Sequence, residues 1–159
     1  MTRLAFLAAP AGVPFASPLR HAAGEGFTDV SALGKLEIRG DPAGLEAAAD
    51  EELIRISADR TLLVVDGAPG AAAERLAAQG YRVYDMTGAL AGLEVDGENL
   101  MRRLTELDLD ELPAIGSIAR GTPALIERRE GERFRLFVPQ ELGHFVAEVV
   151  ADLVKGLGR

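Results

Sequence analysis

Asp29-Val-Ser-Ala-Leu-Gly-Lys-Leu-Glu-Ile-Arg-Gly40 returns later in the chain as Asp85-Met-Thr-Gly-Ala-Leu-Ala-Gly-Leu-Glu-Val-Asp-Gly97, with one residue inserted. Each copy runs from an acid through an apolar residue and a hydroxyl into an alternating Leu-Glu-Ile/Val strand that ends at Gly. Alternation puts Leu36 and Ile38 on one strand face, and Leu93 and Val95 on the matching face of the second copy. An internal repeat dictates architecture before any local propensity does. The segments downstream of the two copies also agree. Pro42 to Ala49 reads as a short helix entered from Asp41 as N-cap, and Glu98 to Leu107 as a helix with Leu100, Met101, Leu104 and Leu107 along one stripe. Strand pairs come next: Leu53–Ser57 turning at Ala58-Asp59 into Thr61–Val65, and Pro123–Arg128 turning at Glu130-Gly131 into Arg133–Val138. A helix beginning at Pro69 or Pro139 closes each copy. The pattern predicts an α+β fold of two β-α-β-β-α repeats related by a pseudo-two-fold, with helices covering the sheet. Residues 28–80 form the first repeat and 81–159 the second, together one unit, preceded by an extended arm over 1–27.

The final helix has the strongest periodicity. Leu142, Phe145, Val146, Val149, Val150, Leu153, Val154 and Leu157 recur every three or four residues, with His144, Glu148, Asp152 and Lys155 opposite. Gly143, Ala147 and Ala151 make a small-residue ridge at the stripe's edge. It packs either against helices of the same chain or against a partner, including a second copy in a homodimer.

Composition removes much chemistry. The 159 residues contain Lys+Arg 17 against Asp+Glu 25, a net charge of −8, with no Cys or Trp. An acidic chain lacks the basic face that nucleic acid requires, and the missing cysteines exclude disulfides and thiolate metal sites. No apolar run reaches the ~20 residues of a membrane span. The N-terminal Met1-Thr-Arg-Leu-Ala-Phe-Leu-Ala-Ala-Pro10 faintly resembles a signal peptide, but Pro10 and Pro14 interrupt it, so a cytoplasmic protein is expected. In the arm, Pro18, Gly24 and Gly26 exclude a long helix.

Few residues qualify for a reactive site. His21 and His144 lie in unrelated elements without ligand-spaced partners. No Gly-x-Ser-x-Gly elbow, Walker loop or Gly-x-Gly-x-x-Gly run is present, and the turn at Gly67, Pro69 and Gly70 lacks the glycine spacing. Carboxylates remain. Asp108, Asp110 and Glu111 cluster after the second helix and could hold a cationic or amine substrate, or simply close the helix as a solvated acidic turn. Asp29 and Asp85 read as turn residues accepting backbone N–H bonds. Asp108 is the one weak catalytic candidate, and no metal site is expected.

Asp85-Met-Thr-Gly with Leu-Glu-Val-Asp-Gly, then Asn99-Leu-Met-Arg-Arg-Leu and an acid at Asp108, resembles the N-terminal part of folate-dependent aminomethyltransferases. Closer still is the likeness to the gamma subunit family of heterotetrameric sarcosine oxidase. It is carried by Ser17-Pro18-Leu19, Gly92 to Gly97, the run Leu104 to Gly116, and Phe137-Val-Pro139, and it extends over about residues 15–157. The resemblance implies a non-catalytic assembly subunit of an oxidoreductase complex for sarcosine catabolism. That complex demethylates sarcosine oxidatively and passes the one-carbon unit to tetrahydrofolate. FAD, FMN, NAD and tetrahydrofolate would sit in the larger flavoprotein subunits, with no cofactor on this chain. The alternative is a stand-alone folate-binding, aminomethyltransferase-like protein using Asp108. The sequence departs from that pattern. In the transferases the functional Asp follows Thr-Asn, whereas Asp108 follows Glu106-Leu107. The hairpin that carries acids in those enzymes reads Gly121-Thr-Pro-Ala-Leu-Ile126 here.

Overall fold

The repeated Asp-to-Gly segments lie at the centre of the molecule, each as the second strand from one edge of a different sheet. A computed structural model describes residues 15–22 and 24–158. The strands are β1 (Phe27–Asp29), β2 (Gly34–Arg39), β3 (Glu51–Ser57), β4 (Arg60–Val65), β5 (Arg82–Asp85), β6 (Leu90–Asp96), β7 (Ala114–Ile118), β8 (Thr122–Arg128) and β9 (Arg133–Pro139). The helices are α1 (Gly70–Ala78), α2 (Glu98–Leu104) and α3 (Gly143–Leu157). One antiparallel sheet has the order β3-β4-β2-β5, the other β1-β6-β9-β8-β7.

The connections cross. β1 leads into β2 but pairs with β6, placing Asp29 opposite Leu93. β5 leads into β6 but pairs with β2, placing Asp85 opposite Leu36. Each sheet therefore takes its edge strand from the segment that precedes the other sheet's inner strand.

Alternation along the strands divides the interior into layers. Leu36, Ile38, Leu63 and Val65 pack beneath Ala72 and Leu76 of α1. On the other sheet Leu93, Val95, Leu136 and Val138 pack beneath α2 and α3. The opposite sides of the two sheets meet each other through Ile54, Leu62, Val64, Leu125 and Phe137. The order is helix, sheet, sheet, helices, with the central strands of each sheet covered on both faces. Leu36, Ile38, Leu93 and Val95 take the faces their alternation predicts. The expectation of sheet below and helices above is corrected: two sheets lie face to face.

Other expectations change locally. Residues 42–49 form no helix. Asp41 accepts from the Ala43 N–H at 2.9 Å as an N-cap would, but Gly44 takes a φ of +83°, outside helical space. The helix from Glu98 stops at Leu104 rather than Leu107. Thr105 is extended and bridges to Ile118, and its hydroxyl donates to the Ser117 carbonyl at 2.9 Å. Pro69 immediately precedes α1, whereas Pro139 ends β9 and a single 3-10 turn, Gln140–Leu142, intervenes before α3. Strands β1, β5 and β7 have no counterpart in the sequence pattern.

The small-residue ridge of α3 is interior, which removes it as a contact for a second copy. Gly143, Ala147 and Ala151 are all buried, and a Cβ on Gly143 would lie 2.6 Å from the Ala91 Cβ, with Leu19 of the arm also in contact range. Leu19 itself is buried in the core under α3, so the described part of the arm lies over its own domain. Phe145 and Leu157, read as part of the apolar stripe, are exposed instead. The expectation for residues 1–14 falls outside the described residues.

Because a Cβ at Gly143 has no room, Gly143→Ala should lower stability by about 1–3 kcal/mol in urea unfolding, against the gain that helix propensity alone predicts. A variant as stable as the parent would show that α3 shifts freely over β6.

Candidate functional site

The acid-to-hydroxyl turns make the junction between the two sheets. Asp29 accepts from the Ser31 N–H at 2.9 Å, and Asp85 accepts from the Thr87 N–H at 2.8 Å. These are the turn roles expected for both acids. Each hydroxyl then bonds the strand of the other repeated segment, continuing the β1·β6 and β5·β2 pairings: the Ser31 Oγ accepts from the Gly92 N–H at 3.0 Å, and the Thr87 Oγ1 accepts from the Lys35 N–H at 3.0 Å. The backbone repeats the exchange, with Val30 N–H donating to the Gly92 carbonyl at 3.0 Å and Met86 N–H to the Lys35 carbonyl at 2.8 Å. Gly92 suits this close approach, since a Cβ would crowd the Val30 carbonyl oxygen at 3.0 Å. The Ser17 hydroxyl also donates to Asp29, tying the arm to the same turn.

Lys35, at the junction, is fully buried at 0% exposure. Its ammonium donates to the carbonyls of Ser31 at 2.7 Å and Leu33 at 2.9 Å. Burial lowers its pKa to about 8, while the carboxylates of Asp85 and Asp29 pull it upward. Further along the same inter-sheet layer, Arg135 on β9 is 5% exposed. It reaches Glu52 of the facing sheet at 2.8 Å, Glu94 at 3.2 Å and Glu127 at 3.6 Å. Arg129 pairs with Glu127 at 2.8 Å and also with Glu52. Burial pushes the Glu127 carboxyl up; Arg135 draws it back and Glu94 raises it further, and the net direction is upward. This network bridges the sheets through Glu52. Sequence reasoning missed every member. The available sign was charge inside otherwise apolar strands, as in Arg133-Phe-Arg-Leu-Phe-Val138.

The clustered acids lie on one exposed turn. Asp108 is exposed and accepts from the Asp110 N–H at 3.0 Å, capping the 3-10 turn Leu109–Glu111. Asp110 is exposed with Arg128 at 3.7 Å, and Glu111 is exposed as well. His21 accepts from Arg20 at 3.0 Å, and His144 lies 3.2 Å from Glu148 on the outer side of α3. Among the described residues no group of three or more His, Asp or Glu is arranged to hold a metal, and no helix is long and apolar enough to cross a membrane.

The buried charges have two measurable consequences. Between pH 8 and 10.5, the folded and unfolded values for Lys35, the unfolded chain holds a proton the folded chain lacks, so stability rises with pH. The cost below that window is about 3 kcal/mol. Lys35→Met should flatten the rise in urea midpoints measured from pH 7 to 10.5; parallel profiles would refute the assignment. Arg135→Met leaves Glu94 without its arginine and Glu52 and Glu127 to share Arg129, and should destabilise by about 3–5 kcal/mol, with Glu127→Gln in the same chain recovering part of the loss.

No family model matches the sequence, and no curated protein does. Among solved structures, the fold is similar to a chain of the heterotetrameric sarcosine oxidase from Corynebacterium sp. U-96 in complex with pyrrole 2-carboxylate. The TM-score is 0.72 at 16% identity, over 91% of this chain and 97% of that one. A looser likeness, with a TM-score of 0.48 and 16% identity over 86% and 100% of the two chains, is to aspartokinase alpha and beta subunits. The first establishes a shared mixed α+β fold; the second carries no argument.

Proposed function

We propose that this chain is a gamma-type, non-catalytic subunit of a heteromeric sarcosine oxidase-like flavoenzyme and acts in its assembly. The observation that supports this reading is the near-complete mutual coverage, 91% and 97%, with a chain of a heterotetrameric sarcosine oxidase. A match of that extent leaves little of either chain outside the common fold. In this reading FAD, FMN, NAD and tetrahydrofolate belong to the larger subunits, and the complex is cytoplasmic. Residues 28–80 and 81–159 are two copies of one unit. The paired exchanges of Ser31 with Gly92 and Thr87 with Lys35 support that duplication.

Affinity purification of the tagged chain from its native host tests the reading. Flavoprotein subunits should co-elute in fixed ratio with flavin absorbance, and recovery of the chain by itself would overturn the proposal. Calorimetry of the isolated chain with tetrahydrofolate should give no heat. Binding that Asp108→Asn weakens would move the assignment to the folate-binding alternative.

A further inference from the structure

The inner faces of the sheets part where β2 ends and β4 begins. A cleft of about 170 Å³ opens there, walled by Ile56, Leu62, Leu90, Leu125 and Phe137. Ile115 stands on its wall 51% exposed, and Tyr84, on an adjoining polar trough, is equally exposed. Glu37 and Met86 border both the cleft and the trough.

Three arginines stand in a row across this end of the sheet. Arg39 on β2 is directly opposite Arg60 on β4 and directly opposite Arg82 on β5. Opposed residues share a face, and like charges so placed destabilise a sheet. One carboxylate, Glu37, serves two of them, at 2.5 Å from Arg39 and 2.6 Å from Arg60. Burial raises its pKa, but these arginines outweigh that and hold it below the usual carboxylate range. The second acid on the trough, Asp59, accepts from the Ser57 hydroxyl. Among the described residues no carboxylate pairs with Arg82, and the Arg60 Nε is buried without a hydrogen-bond partner. In a chain of net charge −8, positive charge has been gathered against an apolar cleft at a cost to the sheet.

We propose that the cleft and the arginine row form a binding site for a small organic anion, a carboxylate carried on an aromatic ring or a short branched acyl group. The guanidinium fork matches the planar carboxylate and binds it by two parallel hydrogen bonds. Arg82 and the outward donors of Arg39 supply the positive end. The apolar body enters between Leu62, Leu90 and Phe137. The space is comparable to the ~150 Å³ cavities that accept a benzene-sized guest. Apolar walls with a few convergent polar groups are the usual form of a small-molecule site. The site depends on this chain's own residues and stands apart from the subunit reading.

Titrating the full chain with benzoate, and separately with its neutral analogue benzamide, tests this by backbone amide shifts. Benzoate should give saturable shifts clustered at Arg82, Leu90, Ile115 and Leu125, with benzamide at least about tenfold weaker. Arg82→Gln should weaken benzoate by about fivefold or more and leave benzamide unchanged. Ile115→Trp, at an exposed position that can close over the cleft, should weaken both. Absent or unsaturable shifts, equal affinity for the two probes, or indifference to Arg82→Gln would overturn the proposal.

Discussion

Burial of both faces of the central strands in both sheets is the constraint on which the rest of this structure depends. A sheet with one wet face can leave its charges in water. Here the second face of each sheet meets the other sheet, so Lys35, Glu127 and Arg135 are removed from solvent and must find partners in the interior. They find them in three ways: backbone carbonyls for Lys35, facing carboxylates for Arg135, and an arginine for Glu127. The apolar contact of Leu62, Val64, Leu125 and Phe137 fills the remaining space. Hydrophobic area supplies the attraction between the sheets, and the ion network fixes how they sit. A slip between the sheets would separate Arg135 from Glu52 and break the direct bridge that this arginine makes to the facing sheet.

The alternating strands and the last helix were legible because their periodicity is long and strict. Leu36 with Ile38, and Leu93 with Val95, report a shared face from spacing alone. Alternation says which residues lie together; it does not say what covers the other side. Lys35-Leu36-Glu37-Ile38-Arg39 therefore reads as a strand with one solvated face, and only the approach of the second sheet reveals that its charges point inward. The short elements escaped for a different reason. β1 and β5 are three and four residues long, and β7 includes Gly116 and Ser117. Such segments are strands because a neighbour offers them hydrogen bonds, not because their composition demands it. The false helix at 42–49 shows the converse: a sound cap and a proline at its start do not carry a helix past Gly44.

The candidate site was less legible than the fold. Asp108 stood out as an acid in an acidic run, yet it spends its side chain on a turn. Arg39, Arg60 and Arg82 are far apart in sequence and unremarkable singly; strand pairing alone brings them into one row. Sites of this kind arise from register, which is set by tertiary contacts and cannot be counted off along the chain.

The crossed connections also order the birth of the molecule. Strands β2 to β5 complete one sheet from a continuous stretch, so that half can close as soon as residue 85 has left the ribosome. β1 was made earlier and has no partner until β6 emerges, and Leu19 waits for α3, more than 120 residues downstream. Leu19 and β1 are thus among the last parts of this fold to settle, holding an apolar side chain and an unpaired edge exposed until β6 and α3 have been made, a stretch of vulnerability in which a chaperone would find its purchase.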